Sequence, residues 1–168
     1  MPGAGLVRIP EMDTKYSRVA QMGLQLEQGE VPPDFDDVVD RMVGLLTPEL
    51  SRFDVVILHN LFTKHFNLPL TAALHHLLDA GRLGRCIAWC HDFTWTSPSS
   101  RSKVHSGYPW DLLRTYRTDV TYVTVSHQRQ RTLAELFGCP PEQIHAIFNG
   151  VDPDVLLGLS PDGHDLIT

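Results

Sequence analysis

Four polar pairs in this sequence carry groups suited to binding or proton transfer: His59-Asn60, His91-Asp92, Ser126-His127 and Asn149-Gly150. An imidazole makes directed hydrogen bonds in either tautomer and changes charge near neutral pH. A neighbouring carboxylate, amide or hydroxyl widens the choice of donors and acceptors. Such sets bind sugar hydroxyls, nucleobase edges or phosphates. Each pair directly follows a stretch that reads as a β-strand.

His91 is the leading catalytic candidate. It leaves an apolar run beside Asp92 and near Trp95, whose ring could stack on a sugar or a base. The competing reading is a histidine that satisfies loop backbone. Ser126 next to His127 suggests a nucleophile and its base, but sequence neighbours seldom have that geometry, and the glycines of a nucleophile elbow are missing. Helix N-cap suits Ser126 better, and the free N–H groups of the helix it opens could meet a phosphate or a sugar hydroxyl.

His59, Asn60, Lys64 and His65 form either a ligand-binding rim, with Lys64 facing a phosphate or carboxylate, or a solvated loop. Arg101, Lys103 and His105 offer the same choice between a solvated loop and a grip on an anionic ligand. His75 and His76 fall within a helical stretch and read as exposed surface. Asn149-Gly150 alone is an ordinary turn signal, since both residues tolerate positive φ.

Metal chemistry is disfavoured. Cys86, Cys90 and His91 are spaced one residue too widely for haem attachment, and zinc would need a fourth ligand. Within a strand, four residues at about 3.3 Å each also hold the two cysteines too far apart for a disulfide. Three cysteines without a framework point to a reducing compartment.

These groups need a scaffold. The chain has 168 residues, 42% of them hydrophobic and 20% charged. That is long enough for one domain with a core. A net charge of −6 and a pI near 5.8 argue against a non-specific nucleic-acid binder. The longest apolar runs are far shorter than the roughly 20 residues that cross a bilayer. The opening MPGAGLVRIPEMD lacks the basic start and apolar centre of a secretory signal, so the expected location is cytoplasmic.

The elements follow from periodicity. Leu6 to Ile9 reads as a short strand, and Lys15 to Gln28 as a weak helix with Val19, Met22, Leu24 and Leu26 inward. Asp34 is the expected N-cap of a helix whose Phe35, Val38, Val39, Met42, Val43 and Leu46 share one stripe. Asp54 to Leu58 is a continuous apolar run, expected to be a strand buried on both faces. A helix over Leu68 to Ala80 with Gly81 as its stop, a strand over Arg85 to Cys90, and a polar connection from His91 to Tyr108 follow. Pro109 opens a short helix. Tyr122 to Val125 is a strand, His127 to Phe137 a helix closed by Gly138, and Ile144 to Phe148 a last strand.

Such alternation predicts an α/β doubly wound parallel sheet, Rossmann-like and flanked by helices. Ligands of that fold gather at the C-terminal strand ends, where all four polar pairs fall.

From Thr121 to Leu159 the order of strand, Ser126-capped helix, strand and NGVD at Asn149 to Asp152, with CHDFTW at Cys90 to Trp95, resembles a glycosyltransferase of family 4. The match is to the N-terminal, acceptor-side domain of its two-domain GT-B architecture. The resemblance implies transfer of a hexose from a nucleoside-diphosphate sugar to a hydroxyl acceptor with retention, without metal or other cofactor. It implies that His91 contacts the transferred sugar or the acceptor, and that Asn149 and Gly150 shape the donor-facing edge.

Residues 1–155 then form a partial acceptor-side domain, and 156–168 begin a linker or tail. The family's glycine-rich first strand and its C-terminal domain have no counterpart. That domain's Arg and Lys neutralise the leaving diphosphate and its Glu-x7-Glu motif contacts the donor. Glu135 and Glu142 are one residue too close and in the wrong domain to replace that motif. The expectation is that donor and acceptor bind through the missing domain, that the chain alone is inactive, that nucleic acid is not a partner, and that the full enzyme could touch a membrane peripherally. The alternatives are a non-catalytic binding or regulatory domain, one half of a split enzyme, and, less well supported, a hydrolase using His91 and Asp92.

Overall fold

A computed structural model describes residues 5–150. Val151, Asp152 and the expected linker or tail at 156–168 lie outside the described residues. Helices α1 (Ser17–Glu27) and α2 (Phe35–Leu50) lead into strand β1 (Val55–His59), helix α3 (Leu68–Asp79) and strand β2 (Arg85–Cys90). After a long connection come β3 (Val120–Thr124), α4 (His127–Phe137) and β4 (Ile144–Ala146). The strands form one parallel sheet in the order β1-β2-β3-β4. The α/β Rossmann-like fold read from the sequence is the fold found.

Chain order and sheet order coincide, with a physical consequence. Right-handed crossovers made repeatedly in one direction all land on the same face. Val56, Leu58, Cys86, Ala88, Cys90 and Tyr122 are buried on that face, whereas Val55, Ile57, His59 and Thr121 are exposed on the other. The expected double winding is therefore one-sided among the described residues. The expectation of a β1 strand buried on both faces is likewise corrected, since Ile57 is 53% exposed. An unbroken apolar run is equally compatible with either outcome.

The core side follows helical periodicity. Val19, Met22 and Leu26 of α1 and Phe35, Val39, Met42 and Leu46 of α2 are all buried, and α2 packs along α3. Leu24, expected to face inward, is exposed. Asp34 stands at the N-cap position of α2 but makes no cap hydrogen bond, because its carboxylate pairs with Arg18 instead. Residues 5–9 form no strand, and Pro10–Met12 is a single 3-10 turn. The short helix expected at Pro109 is a 3-10 helix, Trp110–Arg114, with Pro109 at its N-cap.

Helix α3 is apolar nearly all round, and so His75 is buried against Phe62 at 4.8 Å between ring centroids, contrary to the exposed position expected for it. His76 is exposed. Burial holds the His75 pKa down at about 4, and its Nε2 has no hydrogen-bond partner. The sign follows from linkage: the unfolded chain binds a proton near pH 6.5 that the folded chain refuses until about pH 4. Stability is full above pH 6.5 and falls across that window by on the order of 3 kcal/mol. In His75→Leu, urea unfolding at a series of pH values should show that much less acid dependence than the parent.

The cysteines are free. Cys86 and Cys90 lie two strand repeats apart on the buried face, and burial raises their thiols to about 11 and about 12. Neither is a ready nucleophile at neutral pH. Among the described residues no helix is long and apolar enough to cross a membrane, and no group of three His, Cys, Asp or Glu is placed to hold a metal.

Candidate functional site

Strands β1 and β2 end side by side, with His59 opposite Trp89 in the parallel register. Side chains alternate along a strand, so His59, Trp89 and His91 emerge on the same, open face. Their rings form a stacked series: His59 lies 5.9 Å from Trp89 with planes 22° apart, and 5.9 Å from His91 with planes 24° apart. His59 is exposed, and Trp89 and His91 are half-buried. The result is a shelf of imidazole and indole at the C-terminal rim, with His59 between Trp89 and His91.

Asn60 fixes the geometry of that shelf. Its φ is +57 degrees, a left-handed conformation that asparagine tolerates better than most residues. Its Oδ1 accepts hydrogen bonds from the backbone N–H of His91 at 2.8 Å and of Asp92 at 3.4 Å. Its own N–H donates to the Trp89 carbonyl at 2.9 Å. Asn60 thus joins the two strand ends and is not itself free to bind a ligand through that oxygen.

The rim continues to the third strand end. Asp92 accepts from Arg129 at 3.0 Å, and the Arg129 guanidinium lies 5.6 Å from the Phe93 ring centroid. Ser126 Oγ accepts from the Arg129 backbone N–H at 3.2 Å, which is the N-cap bond expected of it. His127 stacks edge-on with Phe148 at 5.1 Å, and Asn149 and Gly150 follow, exposed. His59, Asn60, His91, Asp92 and Ser126 are therefore linked by contacts. Asn149 and Gly150 reach the rim only through their neighbour Phe148.

Two expected ligand groups are used otherwise. Trp95 is only 7% exposed, its Nε1 donates to the Trp110 carbonyl at 3.2 Å, and Arg101 and Arg114 lie 4.4 and 4.0 Å from its ring centroid. It is an anchor of the 91–110 connection rather than a platform for a sugar. Lys64 Nζ lies over the Phe66 ring at 4.9 Å, and that ring borders α1. Of the basic loop cluster, Lys103 pairs with Glu27 at 3.0 Å and His105 contacts the Glu27 carbonyl at 3.1 Å, so both bind the loop to α1.

Over residues 33–155 the chain matches the model for Glycosyltransferase Family 4. The chain belongs to that family. No curated protein and no solved structure gives a match. The matched span contains β1 to β4 and every group of the shelf. A family 4 domain with a Rossmann-like sheet is a glycosyltransferase-type domain, and the strand ends that carry its rings are where such folds collect ligands.

Trp89 and Arg129 are not among the candidates that the sequence suggests. Trp89 has a signal: it stands two residues before His91, hence on the same side of a strand. Arg129 has a weaker one, its place three residues after a serine N-cap in the first turn of a helix that begins at the rim.

Proposed function

We propose that this family 4 domain supplies the acceptor-side half of a hexosyltransferase cleft. The observation that carries the reading is the shelf of His59, Trp89 and His91, held in register by Asn60 at the open C-terminal rim. An indole stacks on the apolar face of a pyranose while imidazoles beside it bond its hydroxyls. His91 positions the transferred hexose or the acceptor hydroxyl, and Asn149 and Gly150 border the donor side.

The donor on this reading is a nucleoside-diphosphate sugar, and the transfer retains anomeric configuration without a metal or other cofactor. Asp92 pairs with Arg129 at the exposed rim and is read as a substrate-binding group with no base role, which disfavours a hydrolase. The groups that would stabilise a leaving diphosphate are not among the described residues, and we expect the isolated chain to bind sugar without transferring it.

NMR titration of the 15N-labelled chain tests this. Methyl glucosides and UDP-glucose at millimolar concentration should shift the signals of His59, Trp89 and His91, and His91→Ala should weaken the response by about threefold to tenfold, the loss of an ordinary hydrogen bond. A response confined to other surfaces, or none, overturns the reading.

A second reading has one observation of its own. The Asp54 carbonyl and the Asn60 N–H bond to β2, so the alternate residues Val55, Ile57 and His59 direct their backbone groups away from the sheet. That apolar edge favours a non-catalytic or split-enzyme role completed by a separate polypeptide. A silent sugar titration together with concentration-dependent association would select it.

A further inference from the structure

The connection that carries His91 and Asp92 is held from a second side by a chain of polar contacts lying outside the shelf. Thr94, fully buried, accepts the backbone N–H of His65 at 3.2 Å and lies 3.0 Å from His65 Nδ1. Its amide also donates to the Thr63 carbonyl at 2.8 Å. His65 Nε2 faces Glu27, the last residue of α1, at 3.4 Å. Glu27 receives Lys103 at 3.0 Å through its carboxylate and His105 at 3.1 Å through its carbonyl. Both arms of the 91–105 connection therefore converge on the end of α1.

The hydrogens in this chain follow from elimination. Thr94 Oγ1 is fully buried and its partners are the His65 amide and Nδ1; an Nδ1–H would leave the hydroxyl hydrogen without an acceptor, whereas an unprotonated Nδ1 accepts it and satisfies both groups. The ring proton then sits on Nε2, toward Glu27. Nε2–H then faces the Glu27 carboxylate at 3.4 Å without a close hydrogen bond.

We propose that His65 and Glu27 are positioning residues for the rim, setting the placement of His91 and Asp92 through Thr94 according to the protonation of the His65 ring. The functional part of this inference rests on the acceptor-side reading above; the coupling itself does not.

Protonation adds a hydrogen at Nδ1, and Thr94 must then accept twice and turn its hydroxyl hydrogen away within a site closed to water. Only Phe93 stands between Thr94 and Asp92 in the chain, with His91 one residue further. Burial lowers the His65 pKa from the usual histidine value, Glu27 on α1 opposes that, and Lys103 from the loop and Lys64 beside His65 reinforce it. His105 is the other titratable group at this junction, on the Glu27 carbonyl.

The experiment is a pH titration of the full 15N-labelled chain in a His91→Gln background, which removes the titration of His91 itself. Amide signals of Asp92, Phe93 and Thr94 should move with the same midpoint as the His65 ring, below the ordinary histidine range. Ring 15N shifts should show Nδ1 unprotonated above it. In Glu27→Gln that midpoint should fall further, because the group that raised it is gone. In Thr94→Val the loop signals should cease to follow His65, and the His65 amide should exchange about tenfold faster, whereas Thr94→Ser should preserve the coupling.

With His91 present, binding of methyl glucoside should weaken at least about fivefold on acidification through the same midpoint, the lower end of typical site-to-site coupling. Loop signals that ignore the His65 titration overturn the inference, needing no variant at position 94. Coupling without sugar binding overturns the acceptor-side reading instead and leaves the positioning chain standing.

Discussion

Trp95→Ala should destabilise the domain by about 3–5 kcal/mol, the usual cost of emptying a large aromatic site in a core. The indole is buried, donates to the Trp110 carbonyl, and lies between the guanidinium groups of Arg101 and Arg114. Removing it opens a cavity, leaves a carbonyl without its donor and deprives both arginines of their ring. Trp95→Phe keeps a ring for the cations but loses the indole N–H, and should cost nearer to about 1 kcal/mol. Urea unfolding distinguishes the roles: a tryptophan serving mainly as a sugar platform would leave the midpoint unchanged in both variants and alter only binding.

Asn60→Ala should cost about 1.5–3.5 kcal/mol and disorder the rim at the same time. Asn60 holds a left-handed backbone conformation. Alanine there is strained by roughly 1 kcal/mol or more. The N–H groups of half-buried His91 and exposed Asp92 also lose their acceptor, a loss of about 0.5–1.5 kcal/mol for an ordinary hydrogen bond that water partly replaces. Asn60→Gly relieves the backbone but not the lost acceptor, so it should recover only part of the stability. Asn60→Asp keeps both the tolerance of positive φ and the oxygen, and should recover most. Sugar titration should follow the acceptor rather than the backbone, with Gly and Ala variants weakened alike and Asp nearly normal. Equal binding by all three would show that the amide does not hold the shelf.

Periodicity made much of this fold legible. The stripe from Phe35 to Leu46, the strand–helix alternation and the N-cap at Ser126 are local patterns that tertiary packing did not overrule. The misses share another cause. Which face of Asp54 to Leu58 is covered, whether His75 is inside, and where the Asp34 carboxylate turns all depend on partners distant in sequence. Ile57 is exposed because the crossovers fall on the opposite face, and Asp34 forgoes its cap because Arg18 reaches it.

The site divided in the same way. Strand ends placed His59, Asn60, His91, Asp92 and Ser126 on one rim without any knowledge of contacts. Position alone could not say that Asn60 is engaged by two amides, that Asp92 is neutralised by Arg129, or that Trp95 is interior. Aromatic character next to a polar loop is shared by ligand platforms and core anchors, and only burial separates them. The 91–105 connection also looked irregular because its order comes from α1, more than sixty residues upstream in sequence.

Asn60 has a bearing on engineering. Exchanging the segment from His91 to Thr96 for a different recognition loop treats that segment as a module with two ends. Here it is also sewn sideways: the Asn60 oxygen, the Thr63 carbonyl and His65 hold it on one side, and Arg129 and the Trp110 carbonyl on the other. A graft that respects only the joints arrives with these seams unmatched, whereas one that carries positions 60 and 65 with the loop and keeps Arg129 and Trp110 arrives fastened. The transplantable unit is accordingly discontinuous, and new binding preferences built into this scaffold should be selected by varying these stretches together.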